Sequence, residues 1–353
     1  MPQKNFSSIR RKLLRWYDQN RRDLPWRRSR DPYAIWIAET MLQQTQVATV
    51  VPYYERFLEN FPTVNALARA PLRKVLALWS GLGYYRRARN LKLAARIMVR
   101  RHAGLLPTSY DDLLALPGIG DYTAGALMSI AFQKPYPAID GNARRVLGRL
   151  FNLTSGKNLR AAATKLVSRP RPGQFNQGLM ELGATICAPM KPCCPECPLR
   201  CDCAAQNSDG RVATTAKKYI GVKAVTWPLA VVRRRGKILL RRRSTEGILA
   251  GLWELPGGEL GASRSIRACL ESHLGALNGS LKFGPRIGEL RHGITNRRIR
   301  APVFLFDVRP ETDFHLPELH SRWVSPSSLR GYPVSSMTLK ALRIFAAHEK
   351  TFL

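Results

Sequence analysis

Two carboxylic residues in the amino-terminal half of the chain have surroundings of opposite character. Glu39 lies in a predicted helix whose residues three and four positions away are mostly apolar, so we expect burial to raise the pKa of its carboxyl group. Asp140 precedes an amphipathic stripe at a predicted N-cap, where backbone N–H groups should lower its pKa and keep it ionised. A protonated acid beside an ionised carboxylate is the pair that cleaves glycosidic bonds. The alternatives are a simple helix cap at Asp140 and an arginine-paired residue at the edge of a buried face at Glu39.

The cysteines form a second pattern with chemical meaning, because six of the seven lie between residues 187 and 203. Four of them have the spacing Cys187-x6-Cys194-x2-Cys197-x5-Cys203. Such clustering favours a metal site over disulfide bonds. Four thiolates suit either a zinc ion or a [4Fe–4S] cluster. Cys193 and Cys201 are additional thiols, and an exchange of ligand role between Cys193 and Cys194 stays open.

A glycine hairpin at residues 116–124 stands between two predicted helices. Gly118 and Gly120 permit a tight turn whose backbone N–H groups open onto the next helix, a geometry that can hold a phosphate. An ordinary helix–loop–helix joint explains the glycines equally well, because short glycine patterns are common.

The charge balance indicates a polyanionic partner. Lys and Arg total 57 against 24 Asp and Glu, which gives a net charge of +33. Nucleic acid is the leading partner class, and an acidic membrane surface is the second. No apolar run of about 18 residues predicts a membrane span, and Arg10, Arg11 and Lys12 interrupt the start of the chain, unlike a signal peptide. We therefore expect an intracellular, cytoplasmic protein. We also expect it to be nucleoid-associated and monomeric.

The periodicity of apolar residues predicts two domains of different class. Residues 1–207 have helical periodicity throughout and predict an all-α domain. Residues 208–226 lose that periodicity and predict a basic linker. Residues 227–353 mix strand-like runs, such as 228–232, 237–241 and 299–308, with helical stretches at 265–274 and 336–347, so this domain is predicted to be α+β.

The longer motifs of the chain resemble those of the MutY family of adenine DNA glycosylases, within the helix-hairpin-helix superfamily that also contains endonuclease III. The resemblance covers almost the whole chain and rests on Leu24-Pro25-Trp26-Arg27, residues 36–47, residues 81–91, the hairpin 116–124, Asp140-Gly141-Asn142 and residues 175–187. It implies a helix-hairpin-helix glycosylase domain with an iron–sulfur loop at 187–203. It also implies that the four spaced cysteines hold a structural [4Fe–4S] cluster.

This resemblance further implies a partner and a reaction. The partner would be double-stranded DNA with adenine opposite 8-oxoguanine or guanine, and the adenine would be flipped out and cut from its sugar. Glu39 would protonate N7 of adenine, Asp140 would stabilise the oxocarbenium-like sugar, and Asn142 and Tyr122 would support Asp140 and the attacking water.

The resemblance also assigns residues to substrate binding. Arg27 and Leu42 would line the adenine pocket, with Glu181 near the base. Gln44 would wedge into the duplex at the extruded base, and Tyr84 would do so beside 8-oxoguanine. The hairpin residues Gly118 and Gly120 would contact the DNA backbone. Simple core packing is the alternative for Tyr84 and Leu42.

The placement of lysines predicts base removal without strand cleavage. Relatives that also cleave the strand carry a Schiff-base lysine just after the hairpin, and Tyr122 stands at that place here. Arg144 likewise stands where some relatives have lysine, and a guanidinium does not normally lose its proton to become a nucleophile.

The carboxy-terminal domain resembles a Nudix domain whose hydrolytic site is lost. Residues 253–258 resemble the start of a Nudix box, but Ser272 and His273 stand where a hydrolase needs paired glutamates for magnesium. In MutY relatives this domain recognises 8-oxoguanine through a hairpin loop. At the corresponding place Ile294 would supply the apolar wedge, Thr295 the hydroxyl donor, and Asn296 would stand in place of an imidazole.

Three alternatives to a monofunctional adenine glycosylase remain at this stage. A glycosylase for another base, such as thymine opposite guanine, is disfavoured by Glu39, by the stretch that follows it and by the second domain. A catalytically silent mismatch-binding protein is disfavoured because both Glu39 and Asp140 are present. A nucleotide hydrolase is disfavoured by Ser272 and His273.

Overall fold

A computed structural model describes residues 5–206, 221–244, 246–261, 265–275, 281, 283–308 and 320–351. Their contacts divide the chain into two compact units. The first unit comprises Met1–Ala70 and Arg89–Lys217, and the second comprises Pro71–Ala88 and Lys218–Leu353. No helix among the described residues is long and apolar enough to cross a membrane.

Up to residue 206 the chain is helical, as predicted. The helices are α1 (Phe6–Asn20), α2 (Pro32–Leu42), α3 (Val47–Asn60), α4 (Val64–Arg69), α5 (Leu72–Leu78), α6 (Arg86–Arg101), α7 (Tyr110–Leu114), α8 (Asp121–Ala126), α9 (Gly141–Phe151), α10 (Gly156–Leu166) and α11 (Pro172–Thr185). Short 3-10 turns lie at Pro25–Arg27, Cys194–Glu196 and Arg200–Asp202, and a π-helical turn at Leu127–Ala131 follows α8.

The helix that carries Glu39 is the most deeply buried of the first unit. The side chain of Asp31 begins α2 by accepting hydrogen bonds from the backbone N–H groups of Tyr33 and Ala34, and Pro32 occupies the first helical position. Every residue from 33 to 41 is buried. A helix that is buried all round must lie at the centre of its domain, and any polar side chain on it must be matched inside the protein.

The second unit is built on a mixed sheet with two further helices. Its elements are β1 (Lys223–Thr226), β2 (Leu229–Arg234), β3 (Lys237–Arg242), β4 (Trp253–Glu254), α12 (Ile266–Leu274), β5 (Arg286–Ile294), β6 (Arg297–Asp307), β7 (Ser321–Val324) and α13 (Ser336–Thr351). Strand β6 pairs in parallel with β1 and β2 and antiparallel with β5, while β3 pairs antiparallel with β2, β4 and β7. The α+β class predicted for this region is confirmed.

Apolar side chains on the two faces of this sheet form two separate cores. Leu229 and Val231 of β2 belong to one core with Met337 of α13, whereas Ala230 and Val232 belong to the other with residues of α12. A sheet covered on both faces needs apolar residues at successive positions. This explains the unbroken apolar run in β2.

Two boundaries differ from the sequence-based prediction. Residues 223–226, which the sequence assigns to the linker, form β1 because they pair in parallel with Arg297–Arg300; the linker residues 208–220 lie outside the described part. Residues 71–88, which the sequence places in the helical domain, group with the second unit. Within that unit the Arg73 guanidinium lies 5.6 Å from the centre of the Tyr332 ring.

Candidate active site

Glu39 is buried on α2, with 5% of the residue exposed. Burial raises its pKa to about 7, and the nearby charge of Asp140 adds to this rise. The Tyr122 hydroxyl donates a hydrogen bond to Oε2 at 2.5 Å and offsets part of the rise. The predicted direction is therefore confirmed, and a substantial fraction of Glu39 holds a proton at neutral pH.

Hydrogen bonds lower the pKa of Asp140 as predicted, but the predicted net fall in this pKa is wrong. Asp140 is the N-cap of α9, as expected: Oδ1 accepts a hydrogen bond from the Ala143 backbone N–H at 2.7 Å, and Oδ2 accepts one from Asn142 Nδ2 at 3.2 Å. Burial nevertheless raises the pKa of Asp140, because the loss of hydration outweighs these hydrogen bonds. The cap was visible in the sequence, but the depth at which this helix begins was not.

Tyr122 contacts one of the two carboxylic residues, Glu39. The sequence resemblance gives Tyr122, together with Asn142, a role in supporting Asp140 and the attacking water, whereas the Tyr122 hydroxyl donates to Glu39 and lies 3.3 Å from Met180 Sδ. Loss of hydration raises the pKa of the partly buried Tyr122 well above its ordinary value, so its hydroxyl stays protonated and can act as a donor. Asn142 does contact Asp140, as expected.

One cavity of about 660 Å³ brings most of the predicted site residues together. Among the residues that line it are Arg27, Glu39, Leu42, Gln44, Gly120, Tyr122, Asp140, Asn142 and Glu181. These side chains come from parts of the sequence up to about 150 residues apart. The cavity is large enough to hold a purine base, and the two carboxylic residues both face it.

An ion-pair network holds one wall of this cavity. Glu181, which is 1% exposed, accepts from Arg22 Nε at 2.6 Å and from Arg27 Nη2 at 2.7 Å. Burial alone would raise the pKa of Glu181, but the two guanidinium groups outweigh it and the pKa is lowered. Glu181 is therefore a fixed anion that orients Arg27. Sequence analysis missed Arg22, which carries no motif and is recognisable only by its contact with Glu181.

The hairpin glycines differ in what they require. Gly118 has φ +83°, and an added Cβ would lie 2.8 Å from the Asn90 Cβ, so both the backbone conformation and the close approach require glycine. Gly120 precedes α8 and lines the cavity, whereas Gly118 is not among the cavity residues.

Three predicted DNA-contacting residues share an unusual backbone conformation. Gln44, Tyr84 and Thr295 have φ values of +58°, +48° and +54°, a region that non-glycine residues rarely occupy. Such conformations cost free energy and persist where the surrounding structure enforces them, often at functional sites. Tyr84 is also 48% exposed although it is a large aromatic residue. All three residues lie at tips of turns or loops.

The four spaced cysteines line a second cavity, of about 450 Å³, together with Arg149. Cys193 and Cys201 are not among the residues that line it, which supports Cys194 as the ligand. Among the described residues, no three Cys, His, Asp or Glu side chains converge closely enough to share one metal ion. The donor set at this cavity, four thiols, suits either a [4Fe–4S] cluster or a zinc ion.

Two arginines that the sequence analysis did not select join this cysteine loop to α9. Arg145 donates to the Cys187 carbonyl at 2.8 Å and to Asn142 Oδ1 at 2.8 Å. Arg149 donates to Cys187 Sγ at 3.2 Å and to the Ala188 carbonyl at 2.7 Å. The loop and the residue that contacts Asp140 are thus held by one continuous set of hydrogen bonds.

In the second unit, residues 253–258 lie against α12. A Cβ at Gly258 would lie 2.1 Å from His273 Nε2, so the imidazole sits against the glycine backbone. Ser272 Oγ donates to the Cys269 carbonyl within α12.

The turn predicted to read 8-oxoguanine connects β5 and β6. Ile294 is the last residue of β5 and packs partly against the sheet core, so it is only in part available as a wedge. Thr295 occupies the left-handed region, and Asn296 Nδ2 donates to the Gly221 carbonyl at 3.3 Å. Of the three, Thr295 is therefore the least constrained by its own contacts.

Two parts of the chain match known protein families. Residues 37–170 match the HhH-GPD superfamily of base excision DNA repair proteins, and residues 229–343 match a NUDIX domain. An adenine DNA glycosylase of Rattus norvegicus is 34% identical, over 98% of this chain and 79% of the relative.

Two solved structures resemble the helical part. A thermostable thymine-DNA glycosylase is 32% identical with a TM-score of 0.55, over 57% of this chain and 96% of that one. A trapped endonuclease III–DNA covalent intermediate is 25% identical with a TM-score of 0.51, over 57% of this chain and 97% of that one.

Proposed function

Because this chain belongs to the adenine DNA glycosylase family, we propose that it removes adenine from double-stranded DNA in base excision repair. The observation that carries the proposal is that Glu39 and Asp140 face one cavity, with Glu39 holding a proton near neutral pH. We further propose that the adenine lies opposite 8-oxoguanine or guanine.

In the proposed reaction the adenine leaves the base stack, because its glycosidic bond cannot be reached inside a duplex. Glu39 donates its proton to N7, so the base departs neutral while the C1′–N9 bond breaks. The carboxylate of Asp140, held by Ala143 and Asn142, stabilises the positive charge that develops on the sugar. A water molecule then forms the new bond at C1′ and passes a proton to the Glu39 carboxylate, which returns to its acid form and completes the hydrolysis.

The proposed reaction ends at base removal, without cleavage of the strand. Tyr122 stands where a Schiff-base lysine would be needed, and its hydroxyl is engaged by Glu39. The raised pKa of Tyr122 argues against its acting as a nucleophile in place of that lysine.

Cys187, Cys194, Cys197 and Cys203 would hold the [4Fe–4S] cluster that we propose for the cysteine cavity. The cluster would supply iron–thiolate bonds that fix the loop, with no part in the glycosidic chemistry. Arg149, whose guanidinium lies 3.2 Å from Cys187 Sγ, would offset the negative charge of the thiolates.

The similarity to a thymine-DNA glycosylase gives one rival substrate, thymine opposite guanine. That similarity covers 57% of this chain, whereas the adenine DNA glycosylase relative matches 98% of it and includes the second unit. The comparison over the longer length favours adenine.

The test is incubation of the holoprotein with duplexes that carry a single adenine opposite 8-oxoguanine or guanine, or a thymine opposite guanine. We expect breakage of the adenine strand only after hot alkali, and none with Glu39→Gln. Breakage before alkali would refute the monofunctional mechanism. Product only from the thymine duplex would refute the adenine assignment.

A further inference from the structure

Within the second unit, the loop that carries Tyr84 is bound to the carboxy-terminal part of the chain by a shared hydrogen-bond acceptor. Ser80 Oγ donates to the Val334 carbonyl at 2.6 Å, and the Tyr85 hydroxyl donates to the same oxygen at 2.9 Å. The Tyr85 hydroxyl also accepts from the Gly81 backbone N–H at 3.2 Å. These contacts, which we call the Val334 latch, fix the loop on both sides of Tyr84.

The acceptor of this latch is held rigidly. Val334 is 2% exposed, and its backbone forms a parallel bridge with Trp253 of β4. The next residue, Ser335, caps α13, because its hydroxyl accepts from the Thr338 backbone N–H at 3.1 Å. A carbonyl placed between a strand bridge and a helix cap cannot move without disturbing both elements.

The loop itself presents Tyr84 in a strained and exposed conformation. Its φ is +48°, and 48% of the residue is exposed. The Arg87 guanidinium lies 5.3 Å from the centre of the Tyr84 ring and also 5.3 Å from that of Trp79. The Arg87 guanidinium therefore holds the ring in place. The positive φ at Tyr84 costs conformational free energy, which a residue with only a packing role would not need to spend.

The division into two units gives this latch a consequence. Tyr84 and the turn at residues 294–296 both belong to the second unit, whereas Glu39 and Asp140 belong to the first. Both elements expected to contact the base opposite adenine thus stand on one compact body, and the carboxylates that cut the glycosidic bond stand on the other.

We propose that Ser80 and Tyr85 are positioning residues. They hold Tyr84 in a fixed position relative to the 294–296 turn, so that both form one recognition site for the base opposite adenine. The inference rests on the proposed function. When the latch is intact, Tyr84 has a fixed position relative to Thr295, and contacts made by the two are cooperative. When the latch is removed, Tyr84 no longer has a fixed position relative to Thr295, although its own side chain is unchanged.

The test compares Ser80→Ala, Tyr85→Phe and the double variant with Tyr332→Phe. The control removes a tyrosine hydroxyl from the same unit while keeping the ring that packs on Trp253. Single-turnover adenine removal is measured with adenine opposite 8-oxoguanine and opposite guanine. Hydrogen exchange of residues 80–88 is measured in parallel.

In the double variant we expect the single-turnover rate of adenine removal to fall roughly tenfold opposite 8-oxoguanine and less than about threefold opposite guanine. Each buried hydrogen bond that is removed should lower the rate by a factor of a few. Exchange at residues 80–88 should rise, and Tyr332→Phe should resemble the wild type. Equal losses on both duplexes, or an unchanged ratio of the two rates, would overturn the proposal. If the double variant does not fold, Tyr85→Phe alone decides, with an expected loss of about threefold confined to the 8-oxoguanine duplex.

A failure of the proposed function is distinguishable from a failure of this inference. If the wild-type protein removes no adenine from either duplex, the proposed function fails. The same variants are then compared by their affinity for the two duplexes. A preference for 8-oxoguanine that falls in the double variant supports the latch, and an unchanged preference refutes it.

Discussion

Each unit of the molecule contains a deeply buried glutamate, Glu39 in the first and Glu254 in the second, and burial raises the pKa of both to about 7. Their surroundings differ. Glu39 receives a hydrogen bond from a neutral tyrosine and faces a cavity that it shares with a second carboxylate. Glu254 pairs through Oε1 with Arg243 at 2.7 Å, and its Oε2 has no hydrogen-bond partner among the described residues.

This difference shows that a raised pKa alone does not identify a catalytic acid. Burial acts on both glutamates in the same way, because desolvation penalises any charged carboxylate. What distinguishes Glu39 is the space beside it and the position of Asp140. The environment of Glu254 is that of a structural group within a strand whose residues are buried.

The largest expected effect is that replacing Glu39, but not Glu254, abolishes most of the catalytic activity. Glu39→Gln should lower single-turnover adenine removal by at least about 100-fold, because it removes the proton donor. The single-turnover rate of the Glu254→Gln variant should stay within about threefold of the wild-type rate. Both rates are measured with adenine opposite 8-oxoguanine. Comparable losses in the two variants would contradict the distinction drawn here.

Asp140→Asn should have the next largest effect. Asparagine still caps α9, so the fold is kept, but the negative charge beside the sugar is lost. We expect a decrease of about 100-fold in the rate of adenine removal, with duplex affinity changed by less than about threefold. A rate close to that of the wild type would exclude a role for the charge.

The pH dependence of catalysis should follow Glu39 and be independent of Glu254. Since Glu39 acts in its protonated form, the single-turnover rate should fall about tenfold per pH unit above pH 7. The Glu254→Gln variant should have the same alkaline limb. A limb that moves in this variant would transfer the titration to the second unit.

Stability should fall with rising pH, as activity does, but over the lower range from about pH 4.5 to about pH 7. The raised pKa of Glu39 contributes stability that is present below about pH 4.5 and lost as pH rises through about 7. Glu39→Gln should therefore gain up to about 3 kcal/mol of unfolding free energy relative to the wild type at pH 8.5, compared with the same difference at pH 4. Urea unfolding at both pH values measures it, and a pH-independent difference would show that Glu39 is not buried in its charged form.

The smallest expected effect is that of Tyr122→Phe. Removing the hydroxyl that donates to Glu39 Oε2 takes away a contact that favours the ionised form, so the pKa of Glu39 should rise further. The alkaline limb of the rate should move to higher pH, while the rate at pH 6 changes by less than about threefold. A limb that moves to lower pH would mean that Tyr122 stabilises the protonated acid.

The sequence by itself determined those properties of the protein that depend only on a residue and its close neighbours along the chain. The spacing of apolar residues predicted the helical and α+β regions, and Asp140 was placed correctly at the start of α9. The apolar neighbours of Glu39 predicted its raised pKa. The cysteine spacing predicted a metal site, and the four cysteines line one cavity. Each of these properties follows from local periodicity or from contacts along one helix.

Only the tertiary structure decided properties that depend on distant segments. Burial at the cavity reversed the predicted pKa shift of Asp140, and folding brought the Tyr122 hydroxyl into contact with Glu39. Parallel pairing with β6 turned residues 223–226 into a strand. The Val334 carbonyl bound Ser80 and Tyr85 to the carboxy-terminal part of the chain across about 250 residues of sequence. Solvent loss and shared acceptors depend on how segments meet in space, so periodicity along the chain does not report them.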